Sequence, residues 1–335
     1  MQQLRGGEID VLPPQAQIDL VDQLEDIGDV TIDVGAGTNW EFITWVTEGT
    51  PLEERYVRRA IARAIDRQAL VDALIVPIQP DAEPLNSIFY TATAPEYQPN
   101  WADVLAYDAD EAISILEENG CERGDDGIFV CDGERLEFDY ASISGNERRE
   151  LTFEVLLQQL ADVGIELNFD FSEASVLFGT RVWENDFEMA SWGLTGRPDP
   201  VAAPAQWGCP DEERGTGTQN FTLLCNDEAT DLLLEANRTP DPDPRAALVN
   251  EADALLAEDL IACRCTSRRT SPPTRTTSSG SGRTRRTPGR PGTPTSGTGQ
   301  TGREWARRLS GRARHLPAAD RHQPRALRSP AAAPR

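Results

Sequence analysis

Apolar residues recur along this chain with two periods, and the switch between them marks out its elements. Val30, Ile32 and Val34 alternate with Thr31 and Asp33, which predicts a strand; a short helix is expected before it, over about 15–25. Thr50-Pro51-Leu52-Glu53 reads as a helix start: Thr50 caps, Pro51 suits the first helical position and Glu53 closes a capping box. Val57, Ile61, Ala64 and Ile65 continue it as a helical stripe, and Asp66 caps a second helix carrying Leu70, Val71 and Leu74. Residues 75–107 lack periodicity and predict a long surface loop. Asp108, with Glu111 three residues on, starts a helix ending at Gly120; 121–131 is expected as a hairpin, and Leu136, Phe138 and Tyr140 as a strand.

Asn146 opens a long helix with Leu151, Val155, Leu156 and Leu160 on its buried face, stopped at Gly164. Ile165, Leu167, Phe169 and Phe171 then give the clearest strand in the chain. A helix over 173–184, a strand at Phe187–Trp192 and helices over 227–236 and 244–260 follow, the last capped by Asp243 before Pro244. Strands alternate with helices, so the fold class is α/β with a mixed sheet. Trp40 and Trp45 stand at i and i+5, a spacing that shares neither one helix face nor one strand face.

Composition divides the chain in two. Residues 263–335 hold 17 Arg against Glu304 and Asp320, a net of +15, while residues 1–262 hold 15 Arg and 54 acids, a net of −39. There is no Lys, and both histidines, His315 and His322, lie in the basic part. A body without His cannot build Ser-His-Asp or Cys-His nucleophilic sites or the common His-containing zinc sites. Without Lys it has no phosphate-binding Lys of the Walker type and no Schiff base. So strong a negative charge repels nucleic acid and anionic membrane. No apolar run reaches the length of a membrane span, and the opening Met-Gln-Gln-Leu-Arg-Gly-Gly-Glu does not read as a signal peptide.

The stretch after Ala262 has no Ile, Val, Phe or Tyr and is mostly Arg, Ser, Thr, Pro and Gly. It buries too little apolar surface to offset chain entropy, so 263–335 is expected to be a disordered tail. An arginine-rich arm for nucleic acid and a solvated linker are two readings of it. A shifted reading frame explains more, because GC-rich codons encode Arg, Pro, Ala and Gly and the composition changes within two residues.

Four motifs then carry a resemblance. They are Leu4-Arg5-Gly6-Gly7-Glu8-Ile9-Asp10-Val11; the Arg-rich run from Val57 to Val71 through Ile65-Asp66-Arg67; Asn146-Glu147-Arg148-Arg149 with Gln158-Gln159-Leu160-Ala161 and Val163-Gly164-Ile165; and Asn185 to Ala190 with Trp192 and Asp199-Pro200. Their order resembles that of the extracytoplasmic solute-binding proteins of ABC importers, the oligopeptide/dipeptide/nickel-binding family 5. The resemblance implies a periplasmic-binding-protein-like (type II) bilobal fold with mixed sheets, closing around a solute and delivering it to a membrane permease outside the cytoplasm. It further implies a chain holding mainly the second lobe: 1–38 as the end of the first lobe and the hinge, and 39–262 as an incomplete second lobe. A targeting signal is expected to be absent from this chain.

In peptide-binding members an Asp shortly after the Trp–Gly strand end pairs with the ligand's amine. Here the run is Trp192-Gly193-Leu194-Thr195-Gly196-Arg197-Pro198-Asp199-Pro200, with Thr195 where that acid is expected and Asp199 matching the family's Asp-Pro pair. The implied ligand-binding residues are Trp192, Gly193, Thr195, Asp199 and Trp183. Against this stand Asp199 as a turn residue before proline and the two tryptophans as core. The ligand is expected to be a peptide, with an oligosaccharide next and nickel last, since the body has no His to hold it.

Cys121 and Cys131 flank a Gly-Asp-Asp-Gly turn, and Cys209 and Cys225 bracket a Gly-rich loop, so local disulfides are expected among the three pairings that four cysteines permit. Disulfides imply an oxidising compartment. The acids of 122–134 lack the EF-hand pattern and read as a solvated face, so neither metal nor cofactor is expected. The sequence reads as a monomeric binder and not an enzyme. Two rivals are a non-functional truncated and frameshifted product of such a gene, and a carboxylate-pair glycosidase, for which nothing orders two acids at a defined spacing.

Overall fold

The structure is a computed structural model. It describes residues 2–12, 23–27, 30–32, 39–80, 82–195, 200 and 203–267. The expected helix over 15–25 and strand over 30–34 fall largely outside these residues. All of them belong to one compact unit, Met1–Arg283.

That unit is organised on a five-stranded sheet of order β6-β5-β7-β1-β8. Its strands are β1 (Asn39–Trp45), β5 (Glu137–Ile143), β6 (Glu166–Ser172), β7 (Met189–Thr195) and β8 (Cys263–Ser267), while β2 (Glu122–Arg123), β3 (Phe129–Cys131) and β4 (Glu134–Arg135) form a small separate sheet. β5 runs parallel to β6 throughout, from Glu137↔Glu166 to Ile143↔Ser172, and parallel to β7 at Tyr140↔Met189 and Ala141↔Ala190. β1 is antiparallel to both of its neighbours, β7 and β8. The sheet is therefore mixed, as the pattern of elements predicts.

β1 is the strand that periodicity misses. Trp40 to Val46 are all buried, Glu41 and Thr44 included, so the run has no polar face to alternate with. Trp40 and Trp45 point to opposite faces of a strand covered on both sides, which reconciles their i, i+5 spacing with burial.

The arginine-rich motif forms two helices, α1 (Arg55–Ala64) and α2 (Arg67–Leu74). Val57, Ala60, Ile61 and Ala64 fill the buried stripe of α1. Thr50 accepts from Leu52 N at the start of a 3-10 turn, Pro51–Glu53, that precedes α1. Glu53 closes back on Gly49 N, at 2.7 Å, and not on the cap residue, so the box is displaced by one residue. Asp66 caps α2 through Ala69 N at 3.0 Å.

Two of the motif's arginines point inward as pins. Arg58 donates to the carbonyls of Leu52 and Glu53, each at 2.8 Å, and twice to that of Asp259; burial pulls its pKa down to about 10. Arg67 donates to Leu105 O, Leu85 O and Asn86 Oδ1. Those bonds correct the reading of 75–107 as a surface loop. Its described residues form no helix or strand, yet Leu85, Ile88, Phe89, Tyr90, Trp101 and Leu105 are buried. A loop can go inside only if its backbone polar groups find partners, and Arg67 supplies them for the carbonyls of Leu85 and Leu105.

Asp108 caps α3 (Ala109–Glu118) through Glu111 N at 2.8 Å, and Gly120 follows with φ +83°. The hairpin β2–β3 turns at Gly127, φ +86°, and is closed by a Cys121–Cys131 disulfide. Asn146 caps α4 (Glu147–Asp162) through Arg149 N. Gly164 ends that helix at φ +84°, and a Cβ there would lie 2.8 Å from Gly127 O, so glycine is needed for conformation and for space. β6 follows as expected, with Leu167 buried and Phe169 exposed, the latter stacked on Phe171 at 4.1 Å.

The expected helix over 173–184 is a helical turn, Ala174–Val176, running into a π-helical turn, Leu177–Arg181. β7 starts two residues later than predicted and ends three later. A short helix, Ala203–Trp207, and a second disulfide, Cys209–Cys225, lead into α5 (Asp227–Arg238). α6 (Pro242–Glu258) is capped by Asp241 before Pro242 and not by Asp243. The expectation that disorder begins at 263 also changes, because Cys263–Ser267 pairs with β1 as β8. Leu260, Ile261 and Ala262 are buried and carry the chain to that edge. Residues beyond 267 lie outside the described residues. Among the described residues no helix is long and apolar enough to cross a membrane.

Candidate functional site

In open α/β sheets, ligands bind in the crevice outside the carboxyl ends of the parallel strands. Here that end is marked by Ile143 of β5, Ser172 of β6 and Thr195 of β7, with Asn39 of the antiparallel β1 opposite Thr195. The paired region between β5 and β7 stops at Ala141↔Ala190, so Trp192 to Thr195 have β1 on one side and no strand partner on the other among the described residues. The hydroxyl of Ser142 donates across the start of this gap to Ser191 O, at 3.0 Å.

The expected ligand residues divide unevenly over this geometry. Trp192, Gly193 and Thr195 lie on β7, Gly193 opposite Glu41 and exposed at the opening. Trp192 is only 6% exposed and sits among Phe42, Phe187, Phe178 and Phe221, with ring centroids 5.2 to 6.3 Å away. It is the centre of an aromatic core on one sheet face, to which Trp40 and Trp207 connect through Phe42. Trp183 is 58% exposed; its Nε1 donates to Phe178 O at 3.0 Å and its ring meets Phe221 edge-on at 5.2 Å. Phe221 precedes Thr222, whose carbonyl accepts from Thr47 just past the end of β1, where β7 begins. Trp183 therefore joins the same aromatic cluster through Phe178 and Phe221, whose rings also meet that of Trp192. Asp199 lies outside the described residues.

A charged cluster at the carboxyl end was not anticipated. Arg148 and Arg149, in the first turn of α4, both reach Oε1 of Glu41 on β1, at 2.5 and 3.0 Å. All three side chains are buried. Burial, and secondarily the charge of Arg149, pull the Arg148 guanidinium down to about 9. Beside them is a cavity with room for about one water molecule, lined by Glu41, Arg149, Thr152 and Ser191 and by Leu70 and Leu74 of α2. The one signal for it in the sequence is an acid inside an otherwise apolar and hydroxyl-bearing run, Trp40 to Val46. Such an acid requires a buried cationic partner.

For metals, the one suitably close group among the described residues is Cys209, Cys225 and Asp227, and its sulfurs are joined in the disulfide. Of the acidic hairpin, Asp126 accepts from Ile128 N and from Arg135, bonds that hold its carboxyl below the ordinary range.

The family model for bacterial extracellular solute-binding proteins, family 5 (middle), matches residues 1–213. The oligopeptide-binding protein OppA of Mycobacterium tuberculosis is 25% identical over 229 residues, covering 68% of this chain and 37% of its own length. The oligopeptide-binding protein AppA of Bacillus subtilis is 25% identical over 232 residues, covering 66% and 40%. The chain thus spans about two fifths of the length of these relatives. The structure of AppA in complex with a nonapeptide superposes with a TM-score of 0.70 at 22% identity, covering 82% of this chain and 53% of that one. The periplasmic EDTA-binding protein EppA superposes with a TM-score of 0.73 at 18% identity, covering 82% and 51%. These likenesses establish the fold as that of the type II periplasmic binding proteins over the matched part. With the family model matching most of its length, the chain belongs to the bacterial extracellular solute-binding proteins of family 5.

Proposed function

We propose that this chain supplies one side of the ligand cleft in the solute-binding component of an ABC importer, acts outside the cytoplasm and delivers its solute to a membrane permease. A peptide is the proposed solute. The observation that carries this reading is the unpaired edge of β7 from Trp192 to Thr195, at the end of the sheet where α/β folds bind ligands. An extended peptide can add its backbone to such an edge, gaining main-chain hydrogen bonds that are indifferent to side-chain identity. The peptide-binding proteins OppA and AppA support the choice of ligand by family. Gly193, without a side chain at the opening, leaves the backbone accessible, and by the resemblance a neutral Thr195 stands in the sequence where an acid is expected to meet the peptide amine. Binding through the backbone, and not through a fixed carboxylate, is the proposed consequence. No bond is made or broken in this reading.

The test is thermal unfolding of the oxidised full chain with and without a pooled di- to pentapeptide mixture, followed by titration calorimetry. A midpoint that rises with peptide supports a working receptor, because a ligand of the native state must stabilise it. A rise with oligosaccharides alone would replace peptide as the solute. A cooperative transition that no peptide moves would refute peptide capture by this chain, and the absence of cooperative unfolding would mark it as a non-functional product.

A further inference from the structure

We propose that the two disulfides differ in kind: Cys121–Cys131 is a permanent bridge, whereas Cys209–Cys225 is opened by a dithiol reductant that attacks the sulfur of Cys225. Cys121, Cys131 and Cys209 are 5%, 4% and 7% exposed, so these bridged cysteines are closed to solvent. Cys225 is exposed. Thiol–disulfide exchange needs a thiolate to reach one of the two sulfurs, so access decides which bridge reacts and at which end. Cys209 is also pinned by its neighbours: its N–H donates to the hydroxyl of Thr230 at 2.9 Å, and its carbonyl accepts from that of Thr216 at 2.6 Å.

In the first step the reductant's thiolate bonds to Cys225 Sγ as the Cys209–Cys225 bond breaks, and the electron pair leaves on Cys209 Sγ, which takes a proton from solvent. The reductant's second thiolate then attacks its own sulfur in this mixed disulfide and expels Cys225 as a thiolate. In sum the dithiol gives up two electrons and two protons and becomes a disulfide, and the chain gains two thiols. Cys225 directly precedes Asn226, the cap of the 12-residue α5, and the partial positive charge at that helix end stabilises the departing thiolate. Asp227 selects the reductant. A carboxylate oxygen of Asp227 lies within 4.8 Å of both sulfurs, so an anionic thiol is repelled and a neutral or cationic one is favoured.

The segment that the bridge closes is held under constraint and covers the aromatic cluster. Leu223 has φ +59°, a left-handed conformation that disfavours any residue with a Cβ. The ring of Phe221 meets those of Trp183 and Trp192, and Thr222 O accepts from both the amide and the hydroxyl of Thr47. With the bridge open, those contacts lose their covalent tie and Leu223 is free to relax, so reduction loosens the cover over Trp192.

The oxidised full chain is exposed under native conditions to cysteamine, 2-mercaptoethanol or 2-mercaptoethanesulfonate, monothiols of similar size and different charge, then quenched in acid and mapped by mass spectrometry. The mixed disulfide should sit on Cys225, and Cys209–Cys225 should open about tenfold faster than Cys121–Cys131 or more. The rate per thiolate should fall from the cationic to the anionic reagent by about two- to fourfold per unit of charge, and this order should flatten in Asp227→Asn. Under dithiothreitol, hydrogen exchange should quicken over 210–224 and not over 122–130. No reaction at Cys209–Cys225, equal opening of both bridges, an adduct on Cys209, a charge order unchanged in Asp227→Asn, or exchange that quickens everywhere would each overturn the proposal.

Discussion

Replacing Asp253 by alanine removes the acceptor on which a buried corner of the fold depends. Asp253 lies on α6 and is fully buried. Its Oδ1 accepts from Trp101 Nε1 at 2.8 Å and from Ile88 N at 3.0 Å, and its Oδ2 accepts from Asn100 Nδ2 at 2.9 Å. Asn100 has further acceptors in Asn250 O and Oδ1, and the Ser87 hydroxyl, which also bonds Asp253, can rotate, so the change orphans two fixed donors, the indole of Trp101 and the amide of Ile88. Each buried donor left unsatisfied costs about 1–3 kcal/mol, so Asp253→Ala should destabilise by about 2–6 kcal/mol. At an m-value of about 3 kcal/mol/M that is a fall of about 0.7–2 M in the urea midpoint, read by tryptophan fluorescence with m unchanged.

Asp253→Asn is the control, because an amide oxygen still accepts both critical bonds and Asn100 can turn its own oxygen to the new NH2. It should cost much less than the alanine. It should also remove a pH dependence. Burial raises the Asp253 pKa above its ordinary 3.8, against the pull of its hydrogen bonds. The native state then holds this proton more tightly than the unfolded chain. Stability from the group is full below the unfolded pKa and is lost as pH rises through the folded one. Wild type should therefore lose stability relative to Asp253→Asn as pH climbs through that window. Asp253→Ala within about 0.5 kcal/mol of wild type, a change small enough for an uninvolved surface site, would refute the reasoning. So would an asparagine variant as damaged as the alanine.

Reduction of the Cys209–Cys225 bridge, at a sequence separation of 16, should cost about 3 kcal/mol in the chain-entropy model, measured as urea unfolding of the Cys209→Ser/Cys225→Ser variant; an unchanged midpoint would count against it. Arg67→Met should release the carbonyls of Leu85 and Leu105, so hydrogen exchange over 82–107 should accelerate before that of the sheet; uniform acceleration would deny Arg67 its role as a pin. Trp192→Ala should cost about 3–5 kcal/mol in the same urea assay, whereas Trp183→Ala, already mostly exposed, should cost about 1 kcal/mol or less. Equal costs would show that the aromatic core is organised differently.

What could be read from the sequence is what short-range chemistry decides. Thr50, Asp66, Asp108 and Asn146 each cap through a backbone amide two or three residues ahead, and Gly120, Gly127 and Gly164 each take a positive φ that disfavours other residues. The disulfide pairs are local for the same reason. What escaped depends on partners far along the chain. β1 is covered on both faces by segments that follow it, so its pattern has no period. The burial of 75–107 rests on Arg67 and on Asp253, and nothing within the loop announces either. At the site, β7 and its Trp–Gly end were legible, but the contrast between an exposed Trp183 and a buried Trp192 follows from the crossover after β6, which no local pattern encodes.

The arginine-rich motif shows how a family signature can be legible without being functional in the direct sense. A run with five arginines between 58 and 67 or flanking it invites a reading as an anion site, especially in a chain with no Lys. Yet Arg58 and Arg67 spend their hydrogen bonds mainly on carbonyl oxygens, and Arg59 and Arg63 pair with Glu111 near the surface. Guanidinium suits that task because its planar fork reaches several acceptors at once, which a Lys ammonium on a flexible stem does less well. Arg58 ties the start of α1 to the end of α6, and Arg67 ties the start of α2 to the long buried loop. Both pins act on the scaffold and neither faces the unpaired edge of β7. The motif therefore identifies the family through its architecture, while the proposed ligand contacts fall to a strand whose backbone does the binding and whose side chains are free to vary.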